Sequence, residues 1–397
     1  MLNYKFRLPP TREQELVLEQ TLDGCRWIYN YFLSIPPMSE YDMNYALTEL
    51  KEQHPWLRNY YAKMLQMVAK QVAAARKATS SLKRNGCKTG RLSYRYNDDF
   101  HAFAYNQKGF KIEENRLVLA KIGRIKIILH RKPINIKQVT ICRKNGKWYA
   151  VVGCEILRRS CSTIVYKKPV GIDVGITKFA HDSDNHVVEN PQFSTRMSRP
   201  LKRAHRRLSR KKLGSNNRKK ARRMLARLYE RINNKRSDFL HKTSAYYCRN
   251  YDLIFLERLR MANLTKNHKL AHKILDASWY TFKIMCQYKA NRVVEVDPAY
   301  SSLDCSRCGH RVPKSLAVRI HSCPKCGALL DRDYNSAINH LQNGLTLLQL
   351  PVERREVTPV EPQSKVIETG TLYGDMQLTR GTGASLSGKP VPSPRAW

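Results

Sequence analysis

Val170-Gly171-Ile172-Asp173-Val174-Gly175 sets one carboxylate inside an otherwise apolar run. Three of the six residues are β-branched, and the run begins just after Lys167-Lys168-Pro169, so it reads as a buried strand. A second run, Asp252-Leu253-Ile254-Phe255-Leu256-Glu257, has the same character and ends on a carboxylate. Working outward, Lys178 to Asp182 and His186 to Val188 continue a meander from the first run. A helical region from about Arg199 to Asn250 precedes the second. A helix from about Leu270 to Asn291, a strand at Val293 to Val296 and a last helix from about Asp331 to Leu341 follow it. Strand, strand, strand, helix, strand, helix, strand, helix is the order of an RNase H-like α/β fold.

Upstream the periodicity differs. Tyr4-Lys5-Phe6-Arg7-Leu8 alternates like a strand and stops at Pro9-Pro10. Thr11 is placed to cap a helix, with Gln14 at the capping-box position, and Leu18, Leu22, Cys25, Tyr29 and Phe32 then form one helical face. A second helical stretch runs from about Trp56 to Leu82. Beyond the break at Gly86 to Gly90 come short β runs: Phe100 to Tyr105, Phe110 to Ile112, Leu117 to Leu119, Ile125 to Leu129, Val139 to Cys142 and Trp148 to Cys154. Asn145-Gly146 marks a hairpin between the last two. The expectation is a small β-barrel joined by Tyr4 to Leu8, with the helical piece inserted into it.

The chain has 397 residues, with 72 Lys and Arg against 32 Asp and Glu, a net charge of +40. A field of that size calls for a polyanion, and nucleic acid is the obvious one. No apolar run approaches the ~18 residues needed to span a bilayer. Met1 to Phe6 lacks a signal-peptide core, which argues against secretion. From Pro351 to the end, six basic and five acidic residues accompany six Pro and five Gly, so this reads as a disordered tail. The charge concentrates between Arg199 and Arg236, where seventeen Lys and Arg face one acid, Glu230. Leu201, Ala204 and Leu208, and then Ala221, Leu225, Leu228 and Ile232, repeat at helical spacing there. The reading is amphipathic helices with cationic outer faces. Arg203, Arg206, Arg207, Arg210, Lys211, Lys212, Arg218, Lys219, Lys220, Arg222 and Arg223 are the candidates for phosphate contact. Tyr60, Tyr61, Tyr94, Tyr96 and Trp148, interleaved with charge, suit either base stacking or core packing.

Of eleven cysteines, four sit in two tight pairs, Cys305-Ser-Arg-Cys308-Gly309 and Cys323-Pro-Lys-Cys326-Gly327, fourteen residues apart. Two turns each presenting two thiolates complete a tetrahedron around one Zn²⁺, and four thiolates leave no open coordination position, so this zinc is structural. Scattered single cysteines elsewhere indicate no disulfide framework. Thioredoxin-type exchange would need one pair in a strand–helix context.

Four acids stand apart from ordinary surface charge. Asp173 lies within a buried strand, Glu257 ends another, and Asp331 and Asp333 open the last helix. Burying a carboxylate is costly unless it is paired or metal-bound. Asp173, Glu257 and a helix-start carboxylate therefore form a candidate cage for hard divalent cations. Mg²⁺ uses few carboxylates plus substrate phosphate oxygens, and two ions about 4 Å apart could activate a water and stabilise a leaving 3′ oxygen.

At GIDVGITKFA, IFLERLRMANL and CSRCGH…CPKCGALLDRDYNSAIN the chain resembles TnpB, the RNA-guided nuclease family of bacterial insertion sequences. That family is related to type V CRISPR effectors and to eukaryotic Fanzor proteins. YKFRLPPTREQ…GCRWIYNYFL, NKRSDFLHK and LPVERREVTPVE extend the resemblance over nearly the whole chain. It implies a multidomain α/β protein: a β-barrel wedge domain (1–9 and 91–165), a helical recognition lobe inserted in it (10–90), a split RuvC nuclease domain (166–300 and 331–350), an inserted zinc ribbon (301–330) and a tail (351–397). It implies catalytic, magnesium-holding roles for Asp173, Glu257 and Asp333. Asp333 is preferred to Asp331 because the family's acid lies two residues before the Asn of an Asn-small-Ala segment, here Asn335. Ser301-Ser302-Leu303-Asp304 departs from the family's Thr-Ser-Gln before the first knuckle. The implied partners are a guide RNA from the transposon end and double-stranded target DNA cut beside a short recognition motif, with a monomer favoured. Three alternatives stay open: an RNA-guided binder that does not cut, a compact type V CRISPR effector, and a transposase. Transposases of this fold order their acids Asp, Asp, Glu rather than Asp, Glu, Asp.

Overall fold

A computed structural model describes residues 2–96, 99–155, 166–315 and 317–352. The strand β1 (Leu2–Leu8) leads into α1 (Arg12–Ser34), α2 (Glu40–Gln53) and α3 (Ala62–Arg84). Strands β2 (Ala102–Asn106), β3 (Phe110–Glu113), β4 (Arg116–Leu119), β5 (Gly123–Lys126), β6 (Ile136–Lys144) and β7 (Lys147–Cys154) follow. β1 returns to pair antiparallel with β7 along its whole length, so the three helices interrupt the sheet in sequence but not in space. The Thr11–Gln14 capping box forms, and Leu18, Leu22, Cys25, Tyr29 and Phe32 are buried. Asn145 and Gly146 both take positive φ, 53° and 72°, the twist a two-residue hairpin demands.

The β unit differs from the barrel read in the sequence. Its strands divide into a four-stranded sheet, β1-β7-β6-β2, and a three-stranded sheet, β3-β4-β5. Among the described residues an isolated bridge, Arg7 to Ile128, connects the two. Both sheets and the three helices share one hydrophobic core, in which Trp148 is fully buried, so that residue is packing rather than a stacking platform. Tyr94 and Tyr96 are exposed. The helix α2 was not anticipated. It buries only Met43, Leu47 and Leu50 and relies on the Ser39 capping box at its start.

The second half matches the expected order. β8 (Pro169–Val174), β9 (Lys178–Asp182) and β10 (Val187–Glu189) form the meander. Then come α4 (Phe193–Arg196), α5 (Ser198–Ser209), α6 (Asn216–Asn250), β11 (Leu253–Glu257), α7 (Met261–Leu264), α8 (His268–Ala277), α9 (Trp279–Lys289) and β12 (Arg292–Val296). The helix expected over 270–291 is two helices, because Ser278 adopts a left-handed conformation (φ 57°) between α8 and α9. The sheet order is β10-β9-β8-β11-β12, with β11 parallel to both neighbours and β9 antiparallel to β8. Period-two alternation buries both faces. Val170, Ile172, Ile254 and Leu256 pack on one side with Leu240 of α6 and Phe282 of α9. Leu253 and Phe255 pack on the other with Leu341 and Leu345 of the last helix, α10 (Arg332–Leu347). Between β12 and α10 the chain makes the two cysteine knuckles and a small hairpin, β13 (Ile320–Ser322) and β14 (Leu329–Asp331). The expected tail lies outside the described residues, apart from Pro351 and Val352.

Candidate functional site

Three elements converge at the carboxyl ends of β8 and β11. Because Leu256 pairs with Ile172, the carboxylates of Asp173 and Glu257 come next to each other on neighbouring strands. Both share the parity of Gly171 and Phe255, the face covered by α10. Gly171 permits the close approach of that helix: a Cβ there would sit on the backbone of Ala337 and Leu341. In consequence Ser336 Oγ donates to Asp173 Oδ1 at 3.0 Å and lies 3.2 Å from Ser301 Oγ.

Burial pushes the Asp173 carboxyl well above the ordinary range, and the charges of Glu257 and Asp333 push it further; Ser336 and Arg332 oppose them. Burial likewise pushes Glu257 up to about 7. Two half-buried acids that resist ionising together are what a divalent cation would relieve. Ligand atoms of Asp173, Glu257 and His340 lie within 4.8 Å of one another. Sequence reasoning missed His340 and Ser336, which sit on the inner face of α10 among residues that look like packing.

The two acids at the start of α10 have different surroundings. Asp331 is its N-cap, accepting from the N–H groups of Asp333 at 2.8 Å and Tyr334 at 3.3 Å. Its Oδ2 is 2.9 Å from Lys178 Nζ. Burial alone would raise its carboxyl, but bonds from His181 and Lys178 hold it well below the usual carboxylate range. Asp333, in the first turn, has its Oδ1 3.7 Å from Arg319 Nη1 and a charge that reaches Asp173. Asp331 is thus committed to the helix end and to Lys178, while Asp333 stands outside the close group of Asp173, Glu257 and His340, acts on Asp173 through its charge and has the exposed Arg319 beside it.

The four knuckle cysteines come together with their sulfurs within 4.8 Å of one another. Cys305 and Cys326 Sγ are 3.6 Å apart, and Cys308 and Cys323 Sγ 3.5 Å. A tetrahedral zinc with bonds of about 2.3 Å has edges of about 3.8 Å. Gly309 and Gly327 carry the positive φ, 74° and 68°, on which each knuckle turns. Burial acts to raise the Cys323 thiol, but backbone N–H groups of Cys326 and Lys325 outweigh it and bring it to about 7. The donor set and spacing fit Zn²⁺. The helix α10 anchors this segment: Asn335 Oδ1 accepts from Ser306 N, and Asn339 Nδ2 donates to the carbonyls of Ser301 and Asp304.

The basic stretch forms α5 and α6, and it lies beside the acid cluster's domain as a largely solvent-facing surface. Arg203, Arg206, Arg207, Arg210, Lys212, Lys219, Lys220, Arg222 and Arg223 are exposed, and Lys211 is half-buried. Arg218 departs from the expectation. Its Nη1 donates to the carbonyls of Leu208 at 3.0 Å and Lys211 at 2.9 Å, closing the turn between the two helices instead of facing outward. Leu201, Ala204 and Leu208 are only half-buried, and α5 buries no side chain fully. Glu230, the single acid, receives bonds from Asn145, Lys147 and Tyr149, tying α6 to the β6–β7 hairpin.

Comparison with known proteins places this arrangement. The family model OrfB_IS605, described as "Probable transposase", matches residues 164–268, and a Cas12f1-like TNB domain model matches 279–340. A helix-turn-helix model of the OrfB family matches residues 1–36, which here form a strand and one helix. A Streptomyces pristinaespiralis protein named "Putative RNA-guided DNA endonuclease" is 34% identical over 366 residues, covering 86% of this chain and 89% of its own. The likewise named InsQ of Escherichia coli (strain K12) is 30% identical, covering 87% of this chain and 92% of its own. Among solved structures, CasPhi-2 bound to crRNA aligns over 89% of this chain and 99% of its own at 10% identity and a TM-score of 0.46, a likeness that carries no argument. The shared length and identity with the two bacterial proteins, on top of the matched OrfB model, mean that this chain belongs to the TnpB family, the OrfB proteins of IS605-type elements.

Proposed function

We propose that the protein is an RNA-guided DNA endonuclease of a transposable element, cutting target DNA beside a short recognition motif. The observation that carries the reading is the placement of Asp173 and Glu257 side by side on parallel strands, with carboxylate oxygens within 4.8 Å of each other and Asp333 of α10 near enough for its charge to act on Asp173. The names of the bacterial relatives support the same reading.

Asp173, Glu257 and Asp333 would hold two Mg²⁺. When bound, these ions supply an activated water and charge stabilisation at the leaving 3′ oxygen. The protein's own groups do the rest. Ser336 fixes the rotamer of Asp173 through Oδ1, and Asp331 fixes the start of α10, hence the position of Asp333. Arg319, at the edge of the cluster, stands where an incoming phosphate would meet a guanidinium. The exposed lysines and arginines of α5 and α6 would grip the sugar-phosphate backbone of guide RNA and heteroduplex, leaving sequence to base pairing. A structural Zn²⁺ on Cys305, Cys308, Cys323 and Cys326 would hold the ribbon that α10 anchors. In this reading 1–9 and 91–165 are the wedge, 10–90 the recognition lobe, 166–300 and 331–350 the split RuvC domain and 301–330 the zinc ribbon, in a bacterial cytoplasm.

The test is to purify the protein with its RNA, sequence that RNA, reprogram its guide and incubate the complex with a matching plasmid and Mg²⁺. Cleavage is expected, and Asp173→Ala should abolish it while RNA still copurifies. A wild-type complex that binds its target but never cuts would overturn the reading.

A further inference from the structure

His340 has no part in the sequence reading, yet it is placed in the acid cluster. It follows Asp333 by seven residues and Ser336 by four on α10, so all three lie along one helical face. Its side chain is fully buried. Nδ1 lies 3.2 Å from the carbonyl oxygen of Ile172, the residue before Asp173. A carbonyl oxygen only accepts, so Nδ1 carries the hydrogen and Nε2 is left with a lone pair. Nε2 is shut away from solvent and has no hydrogen-bond partner. A histidine serving only as packing would gain nothing from an unpaired acceptor there, where leucine would fill the same space. One ring nitrogen of His340 lies within 4.8 Å of carboxylate oxygens of Asp173 and Glu257, and with Nδ1 given to Ile172 only Nε2 keeps a lone pair to offer a cation.

We propose that His340 Nε2 is a ligand of the ion held by Asp173 and Glu257, which makes the site a mixed oxygen–nitrogen one that favours Mn²⁺ over Mg²⁺. The inference rests on the reading of those carboxylates as a cation site. Carboxylate oxygens alone suit Mg²⁺, whereas imidazole favours the transition ions, for which Mg²⁺ is a poor competitor. The carbonyl of Ile172 fixes the tautomer, the role an outer-shell acceptor plays for metal-bound histidines. The placement depends on Gly171, since the same glycine that lets α10 approach β8 brings the imidazole to this depth.

The test uses the full-length, zinc-loaded protein and Mn²⁺ alone. Binding is read from loss of the free-ion signal in electron paramagnetic resonance, and ligation from nitrogen modulation in the pulsed experiment. Wild type is expected to show stoichiometric Mn²⁺ with nitrogen coupling. His340→Leu should lose the coupling and weaken Mn²⁺ binding roughly tenfold or more, with Mg²⁺ affinity much less changed. His340→Gln serves if the leucine variant does not fold, and His181→Gln should leave the coupling intact. Bound Mn²⁺ that shows no nitrogen coupling in wild type, but is lost in Asp173→Ala, overturns the role of His340 and leaves the cation site standing. Mn²⁺ binding indifferent to both Asp173→Ala and Glu257→Gln overturns the cation site itself. The wild-type spectrum needs no variant, so a folding defect cannot hide the answer.

Discussion

Replacing Glu257 by Gln should make the magnesium-free protein more stable, and increasingly so as pH rises. The Glu257 carboxyl is pushed up to about 7 by burial, from an ordinary value of 4.5. An acid raised in the folded state prefers to be neutral there. It costs nothing below the unfolded value, costs progressively more as pH climbs from there toward the folded value, and is constant above it. Linkage over that window gives a penalty that grows by about 2–3 kcal/mol between about pH 5 and pH 8. The figure belongs to the Asp173–Glu257 pair, since each charge affects the other. Glutamine keeps the shape and removes the charge. Urea unfolding of both proteins, zinc retained and magnesium absent, should show the variant's advantage small at pH 5 and widest at pH 8. Millimolar Mg²⁺ should shrink the difference by stabilising only the wild type, and the variant should not cut. A stability difference that is flat in pH, or that favours wild type more at pH 8, would refute the claim that these acids are held together at a cost.

Other substitutions probe the frame. Gly171→Ala puts a methyl group against the α10 backbone and should cost about 1–3 kcal/mol by thermal unfolding, with cleavage lost before the fold is. Cys305→Ser should abolish stoichiometric zinc and expose α10 to limited proteolysis; unchanged zinc content on elemental analysis would contradict the four-thiolate assignment. Arg218→Gln should lower stability by about 1–3 kcal/mol, because two buried-side carbonyls lose their donor. Lys219→Gln with Lys220→Gln should leave stability within about 0.5 kcal/mol and instead flatten the salt dependence of RNA binding.

The features visible in the sequence were those with a periodic or a spacing signature. A carboxylate inside an apolar run marks Asp173, and the unbroken apolar run from Leu253 to Leu256 marks a strand buried on both faces. Doubled Cys-x-x-Cys-Gly spacing marks the knuckles, whose glycines take the positive φ such turns need. What stayed hidden lacks a local signature. His340 and Ser336 occupy helix positions where any small or apolar residue would satisfy the pattern, and only the tertiary approach of α10 to Gly171 gives them chemistry. The break at Ser278 comes from a left-handed residue that is not glycine, so nothing in the apolar spacing announces it. Arg218 counts as one more positive charge until the carbonyls it serves are known. Two sheets in place of a barrel reflect which edges pair, and edge pairing is decided by contacts far apart in the chain.

The last helix, α10, brings Asp333, Ser336 and His340 to an acid laid down some 160 residues earlier on β8. Under the proposed function, the order of synthesis acts as a safety catch. A chain emerging from the ribosome displays its cationic helices well before the residues that complete the cutting centre. A premature stop, or a protease clip ahead of Asp333, therefore yields a fragment able to clasp RNA yet without the means to damage the genome that encodes it.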